Sequence, residues 1–225
     1  MNIQELTLYS NNLANQKRFY SQTLGFQIIV DTDAKLSFQI GVSVLTFEYT
    51  AKRKEQYHFA FNIPSNQEED ALLWLKDRLD VLKDGDSEIQ YFDFWDANAI
   101  YFYDNDRNIV EFIARKTLKK ESSTEFSSDC VFNISEIGMP TANMSDIRDK
   151  LINQLSLPQY SGDVSRFCSI GNEEGLFICL NKEIKDFWYP TNEKTYSVDF
   201  EIRFSHNGNY LKGLFENDKL NIVYQ

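Results

Sequence analysis

Short stretches in which apolar and polar residues alternate recur along the chain and predict a protein built mainly of β-strands. Successive side chains of a strand point to opposite faces, so each stretch offers an apolar face to a core and keeps a second, mixed face. The first half reads as a strand, a helix and three strands, and this βαβββ order then occurs again. The strands are expected at 3–9, 26–31, 36–40, 43–49, 58–63, 89–95, 99–103 and 108–114, and the helices at 13–24 and 68–82.

A polar stretch at 117–129 is the predicted linker between two halves. It leaves 1–116 as a complete domain of two βαβββ units and 130–225 as a degenerate second domain. Within the first half, the basic run Lys52-Arg53-Lys54 is expected to connect the two units.

The second half repeats the beginning less completely. Glu136-Ile137-Gly138 aligns with Glu5-Leu6-Thr7 and opens a third βαβββ unit. A fourth unit follows, in which Ser197 aligns with His58. Too few residues remain there for a helix and three more strands, so a hairpin within 211–224 is expected instead.

The composition excludes some classes of function. The chain has 225 residues, 42% of them hydrophobic, which is enough for one large or two smaller cores. Its formal net charge of -11 disfavours nucleic acid and anionic membranes as partners, because phosphate groups bind cationic surfaces. No apolar run approaches the roughly 18 residues of a membrane span, and the first residues lack the pattern of a signal peptide. A cytoplasmic location is expected, with the three cysteines as buried free thiols.

Three strands carry an ionisable residue on the face opposite their Leu, Phe and Val residues, namely Glu5, His58 and Glu111. If the mixed faces of these strands line one cavity, the two carboxylates and the imidazole can converge on a metal ion. The simpler interpretation is that each side chain is solvated, or that they hydrogen-bond to one another or to a ligand in a metal-free pocket. With His58 and His206 as the only histidines, a site that needs two or three imidazoles is nearly excluded.

With its repeated βαβββ order and several local motifs, the chain resembles the vicinal oxygen chelate superfamily, also called the glyoxalase, bleomycin-resistance and extradiol dioxygenase superfamily. The resemblance implies an α+β protein in which repeated βαβββ units form cupped mixed sheets with helices outside and a divalent metal ion held inside. The family's tight Asp-Pro-Asp-Gly-Asn turn is replaced here, which gives Arg107 a backbone position that glycine would hold at positive φ. The motifs are Phe19-Tyr20, Leu24-Gly25-Phe26 and Ile100-Tyr101-Phe102-Tyr103-Asp104-Asn105-Asp106-Arg107-Asn108-Ile109-Val110-Glu111-Phe112.

The resemblance also implies metal ligands. Glu5 stands where the family's first strand often carries His or Gln, His58 where the second unit carries His, and Glu111 where the last strand carries Glu. A fourth ligand, where the family has one, comes from the last strand of the first unit, which offers Thr46 and, two residues on, Glu48. Two carboxylates and one imidazole differ from the 2-His-1-carboxylate set of ferrous oxygenases and favour Mn, Mg, Zn or Co. Extradiol ring cleavage therefore ranks low.

The expected activity is that of a divalent-metal-dependent lyase or isomerase acting on a small, oxygen-rich organic molecule. Glu5, Glu48 and Glu111 are the candidate bases for a proton next to a carbonyl. The alternative is a metal-free protein that binds a small molecule, like the drug-sequestering members of the superfamily. Exposed sheet edges make a homodimer an expectation, and Glu136 is expected to be structural because its own half lacks ligand partners. The pocket wall is expected to comprise Thr46, Tyr91, Trp95, Tyr101 and Tyr103.

Overall fold

The structure, a computed structural model, describes residues 1–52, 55–163 and 165–225. Unit 1 comprises β1 (Asn2–Ser10), α1 (Leu13–Lys17, continued by the wider π-helical segment Arg18–Thr23), β2 (Ile28–Asp31), β3 (Lys35–Ile40) and β4 (Ser43–Tyr49). Unit 2 comprises β5 (His58–Asn62), α2 (Glu68–Lys76), β6 (Val81–Leu82), β7 (Gln90–Phe92), β8 (Ala97–Tyr103) and β9 (Ile109–Arg115). Unit 3 comprises β10 (Asn133–Thr141), α3 (Met144–Arg148, continued by Asp149–Gln154), β11 (Gln159–Asp163), β12 (Phe167–Asn172) and β13 (Gly175–Asn181). Unit 4 comprises β14 (Phe200–His206), β15 (Asn209–Glu216) and β16 (Lys219–Tyr224).

The described strands form two mixed sheets, and each sheet joins a unit from one half of the chain to a unit from the other. Sheet 1 has the order β16-β15-β14-β1-β4-β3-β2 and therefore combines units 4 and 1. Sheet 2 has the order β11-β12-β13-β10-β5-β9-β8-β6, with β7 also paired to β8, and combines units 3 and 2. The α+β fold class predicted from the repeated βαβββ pattern is confirmed.

The pairing of units bears on the predicted division into domains. Units 1 and 2, which make up 1–116, lie in different sheets, and both sheets contain strands from either side of 117–129. The central strand pairs are β1 with β14 and β5 with β10, both antiparallel. The boundary therefore marks a repeat in sequence, whereas each sheet is completed across it.

Some element boundaries differ from those predicted. Helix α2 ends at Lys76 instead of 82, because Val81 and Leu82 pair with β8 as a short edge strand, and such tertiary pairing overrides helical periodicity. The first strand of unit 4 begins at Phe200, so β14, β15 and β16 form an antiparallel meander that contains the predicted hairpin. The predicted connector at 52–54 includes Arg53 and Lys54, which lie outside the described residues.

Several smaller expectations are confirmed. Arg107 has a φ of 63°, and Asp104 stabilises this turn by accepting hydrogen bonds of 2.9 Å from the backbone N–H groups of Asp106 and Asn108. The cysteines are free and buried. In the described ranges, no helix is both long enough and apolar enough to span a membrane.

Candidate metal centre

Three buried polar side chains from three neighbouring strands meet on one face of sheet 2. They are His58 of β5, Glu111 of β9 and Glu136 of β10, and one ligand atom from each lies within 4.8 Å of the others. Ala60 of β5 pairs with Glu136 on one side and with Glu111 on the other, so these residues form a row across the sheet. His58 lies two residues before Ala60 and hence on the same face. The small side chain of Ala60 leaves room between the two carboxylates.

The His58 ring is held in an orientation that suits a metal ligand. Its Nδ1 lies 3.1 Å from the carbonyl oxygen of Ile109, and a neutral ring that donates there keeps a lone pair on Nε2. Nε2 faces the Glu111 carboxylate at 3.5 Å. Burial, opposed by the hydrogen bond to Ile109 and assisted by the charge of Lys185, lowers the pKa of His58 to about 4, so the ring is neutral at physiological pH. Trp188 covers the ring, with the two ring centroids 4.9 Å apart.

Glu111 has an acceptor that the rest of the protein leaves unused. Its Oε1 is buried and has no hydrogen-bond partner among the described residues. Burial raises the pKa of Glu111, and the nearby carboxylate of Glu136 raises it further, while the positive charge of Arg115 and the Tyr101 hydroxyl act in the opposite direction. Buried acceptors without a partner are uncommon in folded proteins and point to a missing ligand, ion or water.

Glu136 is paired with a fully buried cation. Its Oε1 accepts a hydrogen bond from Nη2 of Arg115, whose side chain is 0% exposed. The guanidinium lies beside two aromatic rings that contact each other, 5.2 Å from the Trp95 centroid and 5.9 Å from that of Tyr160. Burial raises the pKa of Glu136 and Arg115 opposes that rise. Arg115 therefore fixes one oxygen of a carboxylate that also lies close to His58 and Glu111.

These groups fit a divalent cation. One neutral imidazole nitrogen and two carboxylates satisfy the preferences of Mn, Zn or Co, and the carboxylates alone would suit Mg. The hydrogen bond at Nδ1 orients His58 as the shell around a metal site orients a ligand. The Oε1 atom of Glu111, which has no partner among the described residues, is an acceptor that an ion could use.

The expected convergence of Glu5 with His58 and Glu111 is wrong, because Glu5 lies in the other sheet. Glu5 forms ion pairs with Lys35 at 3.8 Å and Arg203 at 3.5 Å, and accepts a hydrogen bond of 3.0 Å from Thr46. Glu48 also lies there, 3.6 Å from Lys35. Thr46 and Glu48, predicted as pocket wall and base, thus accompany Glu5 in sheet 1 instead of joining the cluster in sheet 2.

Sheet 1 contains a cluster at the equivalent position, in which cationic side chains of the protein lie among the carboxylates. Glu5 of β1 is opposite Arg203 of β14, as Glu136 of β10 is opposite Ala60 of β5. Where Ala60 leaves space, Arg203 supplies a positive charge. The same register puts Glu201, two residues before Arg203, at the position of His58, so Ser197 is not the structural counterpart of His58. Ser197 precedes β14 and donates a hydrogen bond to the Pro140 carbonyl.

A cavity of about 1200 Å³ opens onto the sheet 2 cluster. Tyr91, Trp95 and Tyr101 line it, as predicted, whereas Thr46 and Tyr103 do not. The Tyr103 ring is covered by the Arg107 guanidinium at 4.0 Å. The segment between β13 and β14 supplies the part of the wall that sequence patterns did not indicate, including Lys185, Trp188 and Tyr189.

Gly138 allows Trp188 to reach His58. A Cβ atom at Gly138 would lie 2.5 Å from a ring carbon of Trp188 and 3.1 Å from the His58 carbonyl oxygen. The aligned residue of unit 1 is Thr7, so this difference between repeats is a signal that sequence reasoning could have used. It marks unit 3 as the one that admits a ring against its first strand.

Comparisons with known proteins identify the family. No family model matches the chain. Metallothiol transferase FosB of Staphylococcus epidermidis is 32% identical over 116 residues, spanning 48% of this chain and 80% of that protein. The FosB protein of Staphylococcus haemolyticus gives the same identity and coverage. The chain belongs to the vicinal oxygen chelate superfamily. The crystal structure of a candidate dioxygenase from Bacillus subtilis subsp. subtilis str. 168 is also similar, with a TM-score of 0.65 at 13% identity. The match covers 100% of this chain and 84% of the dioxygenase chain, and it supports the fold alone.

In this vicinal oxygen chelate protein, the candidate ligand cluster comes from units 2 and 3, whereas the sequence placed it in units 1 and 2. The first strand of unit 2 provides His58 and its last strand provides Glu111. The first strand of unit 3 provides Glu136, in the place that the repeat alignment assigns equally to Glu5 of unit 1. The expectation that Glu136 lacks ligand partners is therefore wrong, since its partners come from the other half of the chain.

Proposed function

We propose that this protein is a divalent-metal-dependent enzyme, which binds its ion through His58, Glu111 and Glu136 and acts on a small organic substrate through that substrate's oxygen atoms. The buried Oε1 of Glu111, without a partner among the described residues and beside the other two ligands, carries the proposal. The FosB relatives are metallothiol transferases, which supports metal dependence in a related protein.

The charge balance of the cluster favours this proposal over the metal-free alternative. The carboxylates of Glu111 and Glu136 are buried at 2% and 1% exposure, and Arg115 forms an ion pair with Glu136. Adjacent buried carboxylates repel one another and are costly unless a cation compensates them. A divalent ion would convert a net charge of about -1 into about +1, which suits a site that must attract substrate oxygens. A pocket that only sequesters a ligand gains nothing from this arrangement.

The two glutamates are suited to different roles. Arg115 holds Glu136 in one orientation, which suits a permanent ligand. Glu111 has a free oxygen and a raised pKa, so it is the better candidate to accept a proton from a carbon next to a carbonyl. A bound divalent ion would act as a Lewis acid and stabilise negative charge that develops on a substrate oxygen. This assignment corresponds to lyase or isomerase chemistry and removes Glu5 and Glu48 from the candidate bases.

The aromatic side chains above the cluster restrict access of water. Trp188 and Tyr101 are each 4% exposed and lie against His58, at centroid distances of 4.9 and 6.1 Å. Excluding water strengthens electrostatic interactions within the site.

Metal binding by matched variants tests the proposal. The purified protein is dialysed against Mn, Co, Zn or Mg and its bound metal is measured by mass spectrometry, in parallel with H58A, E111Q, E136Q and E5Q. Glu5→Gln is the control because Glu5 holds the repeat-equivalent position in unit 1. We expect about one equivalent of ion in the wild type and in E5Q, and a loss of affinity of about 10- to 100-fold or more in the others.

Absence of bound ion from the wild type at millimolar metal would overturn the proposal, as would loss of the ion in E5Q alone. Because E136Q leaves Arg115 without its partner, circular dichroism checks the folding of each variant. The H58A and E111Q variants keep the test decisive if E136Q does not fold.

A further inference from the structure

Two cationic side chains line the same cavity without anionic partners. Lys185 lies half-buried in the segment between β13 and β14, and Arg166 lies just before β12. Neither side chain forms an ion pair or a hydrogen bond with any other described residue. Other cations beside the sheets have acidic partners, as Lys35 has Glu48 and Lys182 has Asp218. In a chain with a net charge of -11, a half-buried lysine and an exposed arginine that line one cavity without an acidic partner among the described residues are available to an anionic ligand.

The two cations act on each other and on the metal cluster. Burial lowers the pKa of Lys185, and the positive charge of Arg166 lowers it further. Acidic residues also line the cavity, but Asp84 accepts a hydrogen bond of 2.9 Å from Tyr189, and Asp93 and Asp186 form no ion pair with either cation in the described structure. Bringing like charges together in a partly buried place costs free energy that an anionic ligand would recover.

Flat apolar surface lies beside the cations. The Nζ atom of Lys185 is 5.2 Å from the Phe167 ring centroid, which in turn is 6.4 Å from that of Trp95. Trp188 continues this surface to His58. The cavity volume of about 1200 Å³ is large even for a drug-sized ligand, for which roughly 300–1,000 Å³ is usual. A substrate of three or four carbon atoms would leave most of this aromatic wall uncovered.

We infer that the substrate is an aromatic anion, whose anionic group binds Lys185 and Arg166 while its flat body packs against the cavity wall that includes Phe167, Trp95 and Trp188. This inference rests on the proposed function only for the end of the molecule that reaches His58, Glu111 and Glu136. The cation pair and the aromatic wall would select the same class of ligand in a protein without metal. Arg166 suits a carboxylate or a phosphate because its guanidinium can donate two parallel hydrogen bonds.

Two probes of equal size and different charge test the inference. Isothermal titration calorimetry compares 4-phenylbenzoate with the neutral 4-phenylbenzamide, in metal-stripped and in Mn-loaded protein. The variants are K185Q and R166Q, with K194Q as the matched control, since Lys194 lies on the same segment as Lys185 but outside the cavity lining. We expect the benzoate to bind about tenfold or more tightly than the amide in wild type and K194Q, as charge-assisted hydrogen bonds are lost with the amide.

Loss of this preference in K185Q and R166Q would support the inference. Equal affinity for both probes in the wild type, a preference that survives both variants, or no binding of either probe at millimolar concentration would overturn it. Failure of the two proposals can be told apart. A charge preference in a protein that never retains metal contradicts the proposed enzyme alone, whereas a metal-loaded protein that ignores probe charge contradicts the anion site alone.

Discussion

Removal of the Arg115 side chain should destabilise the cluster more than removal of the cation at the equivalent position in sheet 1. Arg115 is fully buried, contacts Glu136 and packs against Trp95 and Tyr160. Replacing it by Met in R115M keeps much of the packing volume but leaves the Glu136 carboxylate buried without its cation. The Nε and Nη1 atoms of Arg115 have no partner in the described structure. Their removal therefore offsets part of the stability lost with the ion pair.

The expected cost follows from these contacts. Removing one partner of a buried ion pair costs about 3–5 kcal/mol, and relief of the unpartnered nitrogens reduces this to roughly 3 kcal/mol. The matched control is R203M, which removes the half-exposed partner of the repeat-equivalent Glu5 and should cost under about 1 kcal/mol. The double variant R115M/E136Q should recover at least about half of the loss, because no charge is then left unpaired.

Urea unfolding followed by tryptophan fluorescence measures these differences. With a slope of about 2–3 kcal/mol/M, the R115M midpoint should fall by about 1 M at pH 8. The loss should be smaller at pH 5, because protonation of Glu136 removes the unpaired charge. A shift no larger than that of R203M, or a double variant less stable than R115M, would refute the account of this pair.

Further outcomes follow from the same site. Between pH 6.5 and about 4 the unfolded protein binds a proton at His58 that the folded protein excludes, so the free energy of unfolding should fall by about 3 kcal/mol as the pH is lowered through this range. The urea midpoint of H58Q should fall less over the same range, and parallel pH profiles of the two proteins would contradict the effect of burial on His58. G138A should push Trp188 from His58, cost about 1–3 kcal/mol and shift tryptophan emission, whereas unchanged emission would contradict the packing. Affinity for Mn should rise from pH 6 to 8, since the raised pKa of Glu111 makes the ion compete with a proton, and a pH-independent affinity would count against Glu111 as a ligand.

Strand alternation singled out His58 and Glu111, and the family resemblance assigned them to one site. Each lies on the face opposite its strand's large apolar residues, and the parallel pairing of β5 with β9 brings them together within one unit. Arg115 follows Glu111 by four residues in the same strand and shares its face, so alternation also carried a signal for this partner.

The choice between Glu5 and Glu136 could not be made from the sequence. Both occupy the same position of a repeated first strand, and local pattern does not say which of those strands pairs with β5. That choice depends on contacts between distant segments, which placed β10 beside β5 and β1 beside β14. Lys185 and Trp188 were missed for another reason, since they lie in a long irregular segment that has no period to read.

The central claim is that units 2 and 3 together form the metal centre, and the anomalous scattering of Mn in crystals of the loaded protein tests it most directly. The account predicts one strong anomalous peak in sheet 2, within about 2.0–2.3 Å of His58 Nε2 and of oxygen atoms of Glu111 and Glu136. A peak beside Glu5 in sheet 1, or no peak at either cluster in crystals grown with millimolar Mn, would contradict it.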